Sequence, residues 1–100
     1  MELPGLERSV QGFETLTVDN TAAGIGGTAA TVGNATAAFY GPVETADIRW
    51  RVDGTAPTAS VGHLLPVQKT LYIEGTDQIK KILFIRTGAV SASVPVTYYI

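Results

Sequence analysis

The stretch Ala46-Asp47-Ile48-Arg49-Trp50-Arg51-Val52, closed by Asp53-Gly54, decides the fold. Ile48, Trp50 and Val52 alternate with Asp47, Arg49 and Arg51. A period of two puts the apolar side chains on one face of a strand and the charged ones on the other. Trp50 is therefore read as a core anchor. Asp-Gly, a strong tight-turn signal, ends the strand.

The same grammar extends outward. Residues 13–18 read as a strand, followed by turn chemistry at Asp19-Asn20. Residues 35–40 read as a strand closed by Gly41-Pro42, and residues 61–65 as a short apolar one. Residues 68–74 alternate, with Leu71 and Ile73 on one side, before a turn at Gly75-Thr76-Asp77. Residues 78–86 read as a strand whose second half, Ile82-Leu83-Phe84-Ile85, is apolar on both faces, as in a covered central strand. Residues 92–100 form the last strand, with Val94, Val96 and Tyr98 on one face. Pro95 has no N–H, so it places this strand at an edge or leaves its N–H side free there. Residues 21–38 are biased to Ala, Thr and Gly and read as a long loop with a weak strand near 28–32.

These elements predict an all-β fold, an antiparallel β-sandwich or small barrel of about six to eight short strands. Connections too short for helical crossovers favour antiparallel pairing. Residues 1–12, with Pro4 and Gly5, read as an N-terminal arm, and residues 13–100 as one β domain.

Composition excludes several functions. The chain has 100 residues, the size of one domain. It has no Cys, which removes disulfides and thiolate metal sites. Seven Lys or Arg against nine Asp or Glu make a poor match to nucleic acid, which needs clustered cations. No apolar run approaches the roughly 20 residues that span a bilayer. The first residues lack the basic and apolar regions of a secretory leader, so assembly in the cytoplasm is expected.

Candidate chemical motifs are weak. Gly24-Ile25-Gly26-Gly27-Thr28-Ala29 fits a loose dinucleotide fingerprint, but a strand before it and a helix after it are not predicted. His63 is the single histidine, flanked by Gly62 and Leu64, and reads as a partly buried structural residue. Glu44, Asp47, Asp53, Glu74 and Asp77 are scattered and do not form a calcium-loop pattern. Arg49, Arg51, Lys80, Lys81 and Arg86 could share a face, though alternation turns Trp50 away from Arg49 and Arg51. Asn34-Ala35-Thr36 matches a glycosylation acceptor only formally. No catalytic residue, metal site or cofactor is expected, and the chain is read as a non-enzyme.

Both ends of the chain are apolar. Leu3, Leu6 and Val10 in the arm, and Tyr98, Tyr99 and Ile100 at the other end, are the candidate protein-interface residues.

Three phrases resemble small virion structural proteins of tailed bacteriophages. They are residues 43–58 (Val-Glu-Thr-Ala-Asp-Ile-Arg-Trp-Arg-Val-Asp-Gly-Thr-Ala-Pro-Thr), residues 61–65 (Val-Gly-His-Leu-Leu), and residues 74–81 followed by Ile85-Arg86-Thr87-Gly88. The resemblance covers roughly residues 13 to 99 and carries no catalytic motif. It implies a β-rich component of the particle, read here as a capsid cement or decoration protein. The expected partners are the major capsid protein and further copies of this chain, with no nucleic acid and no membrane. The expected location is the capsid surface. The alternative is a neck or tail protein, or a carbohydrate- or receptor-binding β-sandwich.

Overall fold

The computed structural model describes residues 9–22 and 35–100. Among these residues the chain forms seven strands and one short helix. The strands are β1 (Val10–Val18), β2 (Ala37–Tyr40), β3 (Ile48–Arg51), β4 (His63–Leu65), β5 (Leu71–Glu74), β6 (Leu83–Arg86) and β7 (Ala92–Tyr99). The helix is α1 (Thr76–Lys81). One sheet has the order β1-β7-β2-β5 and the other β4-β3-β6, with every pairing antiparallel. The all-β sandwich is thus realised, and the barrel alternative is not, because the two sheets do not close on each other.

Alternation builds the core. In β7 the residues Ala92, Val94, Val96 and Tyr98 are buried, while Ser93, Pro95, Thr97 and Tyr99 are half-buried on the opposite face. Leu16 and Val18 of β1 join the inner set, as do Ile48 of β3 and Phe84 of β6. Tyr40 of β2 and Phe84 of β6 meet between the sheets, ring centroids 5.2 Å apart and tilted by 57°. Trp50 is partly buried against this core, as its position in the alternation requires.

The first strand starts at Val10, so residues 10–12, read as arm, belong to β1. Residues 78–81, read as strand, are instead the end of α1. Gly75 at φ 108° turns the chain into the helix, Asp77 lies in its first turn, and Lys80 and Lys81 lie in its last. These charges complement the helix dipole, and Lys81 pairs with Asp77 at 3.0 Å, one turn away. Ile79 is buried and Ile82 resumes extended backbone. Only Leu83 to Arg86 form the strand.

Pro95 sits in an interior strand, since β7 has β1 on one side and β2 on the other. Its carbonyl accepts from the Gly41 N–H at 2.8 Å, which turns residue 95 toward the β2 side. There β2 has just ended at Tyr40, so the missing donor faces no strand residue. The second of the two sequence readings holds.

Tyr98 is wholly buried and donates its hydroxyl hydrogen bond to Glu14, which β1 carries on its inner face. Burial, then this bond to Glu14, raises the Tyr98 phenol far above the usual tyrosine range. Tyr40 is raised too, first by burial and then by the Glu14 charge. A phenol whose pKa is higher in the folded state stabilises the fold fully below its unfolded pKa of about 10 and loses that contribution as pH rises above it. Denaturation midpoints are therefore expected to hold steady up to about pH 10 and then fall. Ultraviolet titration should show Tyr40 and Tyr98 ionising only as the fold is lost. Ionisation of both with the native circular dichroism intact would contradict this.

Candidate functional site: the outer face of the four-stranded sheet

The outer face of the four-stranded sheet is lined by half-buried and exposed residues of each strand, except at Ala37 of β2, which is fully buried. Strand register aligns one row across all four strands: Phe13 of β1, Thr97 of β7, Phe39 of β2 and Tyr72 of β5. Adjacent strands lie about 4.8 Å apart, so this row spans about 14 Å. Phe13 is 61% exposed, Phe39 37% and Tyr72 49%, and together the three rings leave roughly 300 Å² in solvent. Tyr99 and Ala37 flank the row on one side and Thr15 and Pro95 on the other. Among the strand residues of this face, Glu74 at one corner is the sole charged side chain.

The position of the sequence candidates is mixed. Val10 is 63% exposed beside Tyr99, and Ile100 is 48% exposed. Tyr99 lies half-buried on the outer face. Tyr98 is a correction: its ring points into the core and is withheld from any partner. Leu3 and Leu6, the glycine motif at 24–29, the weak strand at 28–32 and Asn34 lie outside the described residues. Phe13 and Phe39 are the additions. Their parity was readable, since Phe13 is in phase with Thr15 and Thr17 and out of phase with Leu16 and Val18.

The three-stranded sheet carries a second surface. Arg49 donates to the carbonyls of Ala59 at 3.1 Å and Gly62 at 3.0 Å, pinning the loop that precedes β4. His63, read as partly buried, is exposed, and its ring lies 4.6 Å from that of Trp50. Arg51 pairs with Asp53 in the turn after β3. That bond, with a further one from the Thr55 N–H, holds the Asp53 carboxyl down to about 2. Arg51, Asp53, Val61 and His63 line a shallow cleft of about 410 Å³. Among the described residues no three His, Asp or Glu side chains gather where they could share a metal ion.

The basic residues do not form one face. Arg49 and Arg51 point outward from β3, while register puts Arg86 on the same side as the buried Ile48. There its guanidinium donates to Ser91 at 3.2 Å. Lys80 and Lys81 are on α1.

No family model, no curated protein and no solved structure matches this chain.

Proposed function

We propose that this protein is a structural component of a bacteriophage particle, a decoration protein that docks on the capsid shell through the outer face of its four-stranded sheet. The observation that carries the docking surface is the row of Phe13, Phe39 and Tyr72, exposed together on one sheet face. Aromatic enrichment with depletion of charge is the composition of a protein-interface centre. Phage location rests on the resemblance of residues 43–58, 61–65, 74–81 and 85–88. In this reading the protein performs no chemistry. It binds the assembled shell in preference to free subunits and so stabilises it by mass action.

The test is incorporation and heat resistance of the particles. Phe39→Asp places a charge at the centre of the row, on a side chain already in contact with water. The variant is expected to fold as the parent does, to be missing from purified particles, and to leave them as heat-sensitive as particles lacking the protein. Normal incorporation would overturn the docking face. Particles whose heat resistance does not depend on the protein would overturn the cement role and favour a neck or tail position. Binding to a glycan array, lost in the same variant, would instead favour a carbohydrate-binding module.

A further inference from the structure

We propose that two copies of this chain pair antiparallel along the outer edge of β1, about a two-fold axis at Thr15, joining the two four-stranded sheets into one of eight strands. The inference does not depend on the phage reading.

The backbone of β7 shows which groups of β1 are already used. Odd-numbered residues of β7 turn toward β2: the carbonyls of Tyr99, Pro95 and Ser93 accept from Thr36 at 2.7 Å, Gly41 at 2.8 Å and Glu44 at 2.8 Å. The even-numbered ones therefore face β1, where Ala92, Val94, Val96 and Tyr98 stand opposite Val18, Leu16, Glu14 and Gly12. Phe13, Thr15 and Thr17 must then direct their N–H and C=O groups away from β7, because successive residues of a strand alternate. Among the described residues no strand pairs with β1 along that side, and β6 bonds to this segment at Asp19, past the end of β1.

The open window has defined ends. Toward the C-terminal end of β1, the Asp19 carbonyl is taken by the Arg86 N–H at 3.0 Å. Toward the N-terminal end, the register with β7 is irregular between Val10 and Gly12. What remains is residues 13–17, with Thr15 at the centre.

Sheet edges are ordinarily guarded by Lys, Pro, short length or a covering element. β4 has three residues and β6 four, and β5 is flanked by α1. β1 has nine residues with no Lys, Arg or Pro. Its single charge, Glu14, is turned to the inner face and engaged by Tyr98. What satisfies such an edge is another strand.

The sequence of the window fits itself. About Thr15, each Phe13 stands opposite the partner's Thr17 and the two Thr15 residues face one another. Aromatic to β-branched and Thr to Thr are favourable cross-strand pairs. An axis at Glu14 would instead set two carboxylates in contact. With the axis at Thr15, three residues of each strand exchange about six backbone hydrogen bonds. The two outer faces also become continuous, which doubles the exposed aromatic area to roughly 600 Å². One such row falls short of the roughly 800 Å² that a stable interface takes from each partner, and the paired face approaches it.

The test is sedimentation of the full chain over a range of concentrations, with Thr15→Pro and Thr15→Cys. Proline removes a donor that points away from β7, so the pairing of β1 with β7 loses no hydrogen bond. The parent is expected to dimerise, and Thr15→Pro to weaken the dimer by about tenfold or more with unchanged circular dichroism. The chain has no other Cys. Thr15→Cys is therefore expected to oxidise to a disulfide-linked dimer, since facing residues on paired strands lie about 5.5 Å apart at Cα. A parent that stays monomeric at its highest soluble concentration overturns the proposal. So does a dimer unaffected by Thr15→Pro, which would place the interface elsewhere. If Thr15→Pro fails to fold, Thr15→Cys decides: disulfide formation no faster than in the exposed-loop variant Thr55→Cys overturns the proposal, and faster formation supports it.

Discussion

Phe84→Ala is expected to destabilise the protein by about 3–5 kcal/mol, the range for removing a fully buried phenylalanine. Phe84 is wholly buried on the inner face of β6, opposite Trp50 in the register of the three-stranded sheet. Its ring meets Tyr40 of the other sheet at 5.2 Å. Deleting it opens a hole between the two sheets at the point where they touch. The neighbours are held by strand hydrogen bonds and cannot collapse into it. Urea denaturation reads the loss directly as a shift of midpoint at unchanged slope. Phe39→Ala is the matched control, because that ring already meets water on the outer face. It is expected to cost no more than about 1 kcal/mol. Equal losses at the two positions would mean that the sheets are not stacked as described.

Gly41→Ala is the second large effect, expected at about 3 kcal/mol or more. Gly41 follows β2 with φ 108°, a region that L side chains rarely adopt. A Cβ there would lie 2.7 Å from the carbonyl oxygen of Lys69 and 3.1 Å from the Cα of Thr70. Both obstacles are backbone, so no rotamer change relieves them. The Lys69 carbonyl also accepts from the Val43 N–H at 3.0 Å, so moving it breaks a second contact. Gly54 has a similar φ of 86° but nothing within 4 Å of its would-be Cβ. Gly54→Ala should therefore show the conformational cost without the collision. Thermal denaturation of the two variants side by side separates the terms.

Much of this architecture was written in local alternation. The period-two stretch at 46–52 located β3 and its faces, and the buried parity of β7 followed from Val94, Val96 and Tyr98. Alternation also argues against Tyr98 as an interface residue. Its place in an apolar chain end makes it a candidate for an interface, yet it shares the parity of Val94 and Val96. The helix is not legible in the sequence because six residues are too few for a helical period to stand out from the apolar run behind it. Ile79 and Ile82, three apart on either side of two lysines, were the available signal. The aromatic row was out of reach for a different reason. The parity of Phe13, Phe39 and Tyr72 can be read one strand at a time. Their alignment depends on register between strands far apart in the chain, and no local pattern encodes that.

The longest pairing in the molecule joins β1 to β7, the earliest and the latest of the described strands. A ribosome delivers β1 well before β7, with the other described strands in between. Until β7 is made, β1 lacks the one strand it pairs with among the described residues, and Leu16 and Val18 wait for the side chains that will cover them. Folding must close the long loop from Val18 to Ala92 before either strand gains from this pairing, which sets a slow pace relative to local contacts. A chain stopped before Ala92 would lack one of the two interior strands of its larger sheet. Such fragments should therefore be open to proteases.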